Sequence, residues 1–284
     1  MLLWGATAIL GRQISIEAIP LVWYRLLVVV VVLGIYVPAR GLPIRIPRRA
    51  AIRYALVGAL IGLHWLCFYG AIKQAGVATA VLSLSTVTFF TAAIEPLVFR
   101  RRLDLGEILI GALVVVAATL LIQLELRADS LGLALGLGSA VLAAMFGVLN
   151  GRFARQEPPE RLMLFELTGA AIVVTLCFAF APSQLVAPWE LSGEDMVWLA
   201  VLGVLCTVIP QVWVIHVLRT LSPFTVAVTV NLEPVYALIL TAFLFPDDQA
   251  LSLRFYVGAA VLFALVIVNG ARKARASPPA AGSR

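Results

Sequence analysis

Residues Val228–Leu240 read "VTVNLEPVYALIL", with an amide, a carboxyl and a proline inside an otherwise apolar run. Proline donates no backbone hydrogen bond and disrupts a helix interior. A buried carboxyl is costly unless something nearby satisfies it. The meaning of this stretch depends on what surrounds it, so we read outward from it.

The 284-residue chain is 62% hydrophobic and only 13% charged, whereas a soluble domain carries roughly 25% charged residues. Ten apolar runs can be traced, at 1–14, 20–38, 51–72, 76–99, 105–123, 130–151, 161–181, 196–218, 222–245 and 254–270. Most are close to the roughly 20 residues that a helix needs to cross a hydrocarbon core about 30 Å thick. The remainder makes short loops and a tail, which leaves no room for a soluble catalytic domain. The expected fold is an all-α polytopic membrane protein with ten transmembrane helices.

The net charge of +6 fits a topology signal better than a nucleic-acid surface. With a cytoplasmic N-terminus, one set of loops carries Arg40, Arg45, Arg48, Arg49, Arg53, Arg100, Arg101, Arg102, Arg152, Arg155, Arg161 and Arg219. The tail adds Arg272, Lys273, Arg275 and Arg284 on the same side. Only Arg12, Lys73, Arg127 and Arg254 fall opposite. Because cytoplasmic loops are enriched in Lys and Arg, both termini are expected in the cytoplasm. The expected location is a bacterial cytoplasmic (inner) membrane.

Cys67, Cys177 and Cys206 lie far apart within apolar runs and match no zinc or redox spacing. They read as small buried hydrophobes, and no metal or other cofactor is expected. Residues 1–11 lack a charged leader and a cleavage signature, so they read as a first helix rather than a signal peptide. Only eleven residues precede Arg12, so this helix is either unusually short or continued by residues upstream.

Residues 51–103 overlay residues 197–249 at a constant offset. This places Lys73 on Arg219, Thr79 on Thr225 and Phe99 on Phe245. Identity is low, but charge strengthens the match: Arg100–Arg102 fall on Pro246, Asp247 and Asp248. The arginine-rich stretch 40–53 corresponds to a loop bearing Glu190, Glu194 and Asp195. Five helices per half is an odd number, so the second half must enter the membrane inverted. The expected organisation is a five-helix repeat over 1–127, an inverted one over 128–270, and a tail over 271–284. Inverted repeats are typical of secondary transporters, whose substrate site lies near the midplane between the halves.

Three segments carry a family resemblance. "LLWGATAI" (Leu2–Ile9) and "PLVWYRLL" (Pro20–Leu27) resemble the Trp-Gly and the second-helix arginine of EamA-type carriers, in the drug/metabolite transporter superfamily. "NLEPVYALILTAFLF" (Asn231–Phe245) resembles the family's proline-bearing ninth helix. The resemblance spans about residues 4–270 and implies a ten-helix carrier moving small metabolites by alternating access, with a central cavity. The chain departs from the pattern in three places. Its first helix begins close to Trp4. The family's acidic residue after the fourth or ninth helix is replaced by arginines or by Asp247–Asp248. Thr88 stands where the repeat would match Pro234.

Six ionisable side chains fall within the spans: Arg25, His64, Glu95, Glu166, His216 and Glu233. Intramembrane charges of this kind are functional candidates by default. Arg25 and its approximate repeat partner Glu166 lie near span ends, where snorkelling gives a structural reading. Glu95, just before Arg100–Arg102, reads as a surface ion-pair partner, and His216 as an interfacial histidine. His64 and Glu233 lie near mid-span. Pro234 frees the carbonyl of Val230, and Asn231 is its natural local partner. Glu233 and Tyr236 share a face, whereas Asn231 joins them only if the helix bends. The opening stretch therefore reads as a kinked wall of a polar site.

Glu233 and His64 are the proton-coupling candidates; the alternative for Glu233 is a neutral hydrogen-bond donor holding its helix in place. His64, Trp65, Phe68, Tyr69 and Ile72 share one face and suit either a cavity or ordinary packing. Ser85, Thr88 and Glu95 form a narrow polar stripe. Gln211 follows Pro210, which occupies the repeat position of His64, and Asn150 reads as a helix cap. The expected substrate-binding set is His64, Trp65, Tyr69, Thr88, Gln211, Asn231, Glu233 and Tyr236. Gly58/Gly62 and Gly132/Gly136 form G-x-x-x-G pairs that permit close helix approach.

The leading expectation is a secondary active transporter, not an enzyme, for a small polar or amphipathic metabolite such as an amino acid, with protons as candidate coupling ions. Glu233 and the aromatic cluster suit an ammonium and an apolar side chain. The expected partners are that small molecule and the lipid bilayer. An intramembrane enzyme would need a nucleophile–base pair or a dense carboxylate cluster, and a passive channel a ring of repeated filter residues. Two distant histidines and the lack of a dense Asp/Glu motif argue against the enzyme, and no such ring appears; an intramembrane enzyme acting on lipid or peptide and a passive channel stand as the alternatives.

Overall fold

The computed structural model describes residues 3, 4, 7, 10, 13–122, 129–233, 235, 236, 239 and 253–276. Calls resting on Pro234, Arg12, Arg127, Phe245, Asp247 and Asp248 fall outside these residues. Every regular element among the described residues is helical: α1 Ala18–Ala39, α2 Arg48–Ser85, α3 Val87–Phe99, α4 Leu105–Ile122, α5 Ser130–Phe153, α6 Pro159–Cys177, α7 Gly193–Gly203, α8 Ile209–Val217, α9 Pro223–Val230 and α10 Leu253–Ala276. Five stretches are long and apolar enough to cross a membrane: Ala18–Ala39, Arg48–Phe99, Ser130–Phe153, Gly193–Val217 and Leu253–Arg275. Leu105–Leu120 is apolar but shorter.

Arg48–Phe99 holds 52 residues, about 78 Å if straight, far more than one bilayer needs. It is broken at Gly76, whose φ of 84° and ψ of 166° lie outside the helical region and in territory that glycine alone enters readily. A second discontinuity comes at Thr86. The break at Gly76 falls next to the expected gap between spans 51–72 and 76–99.

The expected span 196–218 holds a feature that hydropathy does not reveal. Between α7 and α8, residues Val204–Val208 form a π-helical turn. Pro210 follows at the start of α8 and has no N–H for the carbonyl of Cys206, so the regular ladder is interrupted here. The expected span 161–181 is also shorter as a helix, ending at Cys177. Two short 3₁₀ turns, Pro182–Gln184 and Pro188–Glu190, lead from it to α7.

Small residues let α2, α5 and α6 approach closely. A Cβ added at Gly58 would lie 1.6 Å from the carbonyl oxygen of Glu166, and one at Gly169 would lie 2.2 Å from that of Ala55. Likewise a Cβ at Gly132 would meet Ala75, and one at Gly136 would meet Ser83. Both G-x-x-x-G pairs thus sit at helix crossings within the chain.

Two apolar cores result. The larger joins α1, α2, α6, α7 and α8, with Leu21, Leu33, Ile61, Tyr69, Leu162, Met163 and Leu202 fully buried. The smaller joins α3, α4, α9 and α10 through Ala92, Val114, Phe224, Val228 and Leu262. At the edge of the smaller core, Glu95 pairs with Arg101 at 3.1 Å and accepts the backbone N–H of Phe224 at 2.7 Å. Arg101 also bonds Glu107, which pairs with Lys273 at 2.6 Å. Asp104 holds Arg272 through both oxygens at 3.0 Å. Asp104 and Glu107 therefore supply carboxylates just after the arginines where the expected family pattern has an acid. Burial alone would raise the pKa of Asp104, but the Gly106 N–H and the Arg272 guanidinium outweigh it and hold the carboxyl below its usual range.

Candidate functional site: a charged cavity between the helices

A cavity of about 170 Å³ lies among α1, α2, α3, α5, α8, α9 and the N-terminal residues Trp4 and Thr7. Five of the eight expected binding residues line it: His64, Trp65, Gln211, Asn231 and Glu233. The other three stand behind or beside its wall. Tyr69 is fully buried and gives its hydroxyl oxygen to Arg25 as an acceptor. Thr88 is fully buried and accepts from Asn231 at 2.6 Å. Tyr236 packs against the smaller apolar core.

Asn231 marks the end of regular helix in α9, with φ −65° and ψ −2°. Its Nδ2 donates to Thr88 Oγ1 and, at 3.0 Å, to the carbonyl of Ala227. The expected partnership with the carbonyl of Val230 is therefore replaced by one a turn earlier, joined to a cross-link into α3. Beyond Asn231 the backbone turns tightly, Leu232 N–H reaching the carbonyl of Thr229 at 3.1 Å. This turn brings Glu233 to the cavity beside Asn231, although a regular helix would hold them about 200° apart.

His64 sits at the cavity wall with Nδ1 2.9 Å from the carbonyl oxygen of Ser139 and 2.8 Å from its hydroxyl. Its ring lies near Phe68 and Phe146. Ser139 thus fixes the ring between aromatic neighbours, so the residue is both held in place and in contact with the cavity.

Arg25 is where the sequence reading needs correction. α1 begins at Ala18, which puts Arg25 seven residues, about 10 Å, along the helix rather than one turn from its end. It does not snorkel: the residue is 3% exposed and lines the cavity. Nε donates to Thr207 Oγ1 at 2.7 Å and Nη1 to Tyr69 Oη at 2.9 Å. The guanidinium carbon stands 3.9 Å from the centroid of Trp65. Thr207 belongs to the π turn and donates in turn to the carbonyl of Leu202 at 2.7 Å, so its oxygen lone pairs remain free to receive Arg25. Placing a charge at a helix centre costs at least about 2.5–3.5 kcal/mol on insertion scales. Charge-assisted hydrogen bonds of about 1.5–3 kcal/mol each and a cation–π contact of about 0.5–2 kcal/mol are of the size needed to offset it.

Glu166 is also fully buried rather than snorkelling, and it bonds Asn150 Nδ2 at 3.1 Å. Asn150 lines the cavity, a role hidden by its position near a helix end. The cavity also includes Ser85, Thr91, Phe68 and Phe146. For Arg25 a signal was present: it is the only charged residue in Ala18–Ala39, and Leu21, Arg25 and Val29 follow the four-residue spacing of one helix face.

A bundle of long apolar helices enclosing a cavity with a buried cation and a carboxylate defines an integral membrane protein built to handle a small molecule. A model of the EamA-like transporter family matches residues 1–124 and 130–271. The chain belongs to that family, and hence to the drug/metabolite transporter superfamily of membrane transporters. A solved crystal structure shares the fold with a TM-score of 0.77 at 20% identity, covering 97% of this chain and 95% of its own. No curated protein matches the chain.

Proposed function

We propose that this chain is a secondary active carrier working by alternating access, in which the cavity holds a small polar or amphipathic metabolite and Glu233 carries the coupling proton. In this reading the protein has ten transmembrane helices in two inverted repeats, 1–127 and 128–270, followed by a tail over 271–284. Both termini lie in the cytoplasm of a bacterial cell whose inner membrane it spans, and the arginine-rich loops favour that orientation. One observation carries the proposal: α1, α2 and α3 of the first repeat meet α5, α8, α9 and Glu233 of the second around one cavity. Substrate sites of inverted-repeat carriers lie at such a junction.

An amino acid or a related compound fits the lining. Glu233 can face an ammonium, while Trp4, Trp65, Phe68 and Phe146 offer apolar and π surface. Asn231 and Gln211 add neutral polar groups to the same cavity. A carboxyl on the cavity wall suits a group that must exchange its proton for a cation in each cycle.

The test is uptake of an amino-acid mixture by proteoliposomes under an imposed pH gradient, with the wild type compared with Glu233→Gln. The wild type should concentrate at least one compound, and the variant should only equilibrate it. Accumulation that survives collapse of every ion gradient would overturn the carrier reading. Equal accumulation by both proteins would remove Glu233 from coupling.

A further inference from the structure

Five N–H donors in a fixed fork are what a guanidinium brings to a site. For Arg25 the described residues provide partners to Nε and to one hydrogen of Nη1, through Thr207 and Tyr69. Nη2 has no hydrogen-bond partner among them, and no carboxylate among them pairs with Arg25 within 4.0 Å, although the side chain is almost wholly buried. An arginine serving only to tie helices together would turn this edge toward protein acceptors, because an unmet buried donor is costly. Here the residue borders the cavity instead. Its plane is set from three sides, by the π-turn threonine, the tyrosine hydroxyl and the face of Trp65.

We propose that the Nη edge of Arg25 is the seat for a carboxylate on the transported molecule. This rests on the carrier reading above and names the substrate class for that same cavity. The geometry suits a planar two-oxygen anion, since guanidinium and carboxylate match as a two-bond fork. Trp65 beneath the cation and Phe68 and Phe146 along the wall receive the apolar body of the molecule. Glu233 lines the same cavity without forming an ion pair with Arg25. The two opposite charges therefore stand apart, as they must if an ammonium and a carboxylate of one ligand are to be met separately. The π turn has a purpose in this arrangement, because it places Thr207 to hold Nε and keeps the fork from rotating away. Such turns recur at functional sites.

The test uses the purified full-length chain in detergent and follows its thermal midpoint. The probes are L-phenylalanine and L-leucine, their carboxamides, the amines that lack the carboxylate, and 3-phenylpropionate and 4-methylpentanoate, which lack the ammonium. Compounds with a carboxylate should raise the midpoint, while the carboxamides and amines should not. If the amino acids act more strongly than the simple acids, the ligand is a zwitterion; equal action identifies a monocarboxylate. Arg25→Lys keeps the charge but loses the fork, and should weaken binding of the acids about tenfold or more. Thr207→Val leaves Arg25 in place and should weaken binding of the acids several-fold, so a decision does not depend on whether Arg25 variants fold.

Three results overturn the assignment: carboxamides and amines stabilising as well as the acids, acids acting at full strength in both Arg25→Lys and Thr207→Val, or no acid in the panel raising the midpoint. Transport separates this proposal from the carrier reading. Amines that cross proteoliposomes while acids neither bind nor cross would leave the carrier standing without a carboxylate seat. Acids that bind through Arg25 but never cross would leave the seat and remove the carrier.

Discussion

Glu166 Oε1 and Asn150 Oδ1 are both buried without a hydrogen-bond donor, while Asn150 Nδ2 already bonds Glu166 Oε2. A single hydrogen on Oε1 would serve the asparagine oxygen and close a two-bond pair between acid and amide. Glutamine offers an N–H in the same position, so Glu166→Gln should unfold within about 1 kcal/mol of the wild type. Glu166→Leu strips Asn150 of its partner and should lose about 1–3 kcal/mol, the usual penalty for an orphaned buried polar group. Thermal or denaturant unfolding in detergent separates the two variants. Equal losses would show that the negative charge itself is needed. Nothing local in the sequence marks this pair: Asn150 sits near one helix end and Glu166 two turns into the next, and only packing turns them together. The same limit hid Arg25. A helix start displaced by two residues changes an interfacial arginine into a buried one, and hydropathy does not resolve boundaries that finely.

Among the helices, the long apolar runs were legible because run length and bilayer thickness constrain each other, whereas the break at Gly76, beside the expected gap between spans, came from the structure. The π turn at Val204–Val208 was not legible either, since it leaves composition unchanged and needs only an interrupted ladder before Pro210. The bend at Asn231 was expected, but its hydrogen bonds were not, because Thr88 is brought to it by tertiary packing. A similar long-range link joins α10 to the start of α4 through Asp104 and Arg272. Asp104 lies between α3 and α4 with its carboxyl held below the usual range, so its contribution to stability exists above an unfolded pKa of about 3.9. That contribution fades as pH falls through the still lower folded value. The midpoint of Asp104→Asn should therefore lie below that of the wild type at neutral pH and converge with it in strong acid. A gap that stays constant down to acid pH would show that the lost carboxylate charge is not the cause. The pair is more than a third exposed, so the expected gap is small.

Over the whole molecule, the two ends of the bundle differ in how the cavity meets them. At the end carrying Arg40, Arg100–Arg102, Arg155 and Arg219, the cavity lining reaches Asn150, Leu218 and Pro223 near the tips of α5, α8 and α9. At the opposite end the helices are tied by polar contacts. Ser15 donates through N–H and hydroxyl to the two oxygens of Asp195 at 2.8 and 2.7 Å. Lys73 reaches the carbonyl of Ile14 at 3.2 Å, Gln74 bonds Asp129, and Tyr24 donates to the carbonyl of Val186 at 2.7 Å. These ties are a few hydrogen bonds, each worth about 0.5–1.5 kcal/mol net, set beside apolar packing that includes Ile14, Leu21, Ile72 and Leu199. Such a closure can open when differential binding supplies a few kcal/mol. Asp195 is its hub, because it also accepts from the hydroxyl of Ser192 at 2.8 Å. Removing its carboxylate in Asp195→Ala should shift the protein toward opening at this end. With Cys67, Cys177 and Cys206 replaced by serine and Ala227→Cys placed in the cavity, a membrane-impermeant maleimide reads the exposed side. The parent should react mainly from the arginine-rich end, and adding Asp195→Ala should raise labelling from the opposite end several-fold while lowering it from the first. Unchanged labelling from both sides would mean that Asp195 caps its own helix and does not govern access to the cavity.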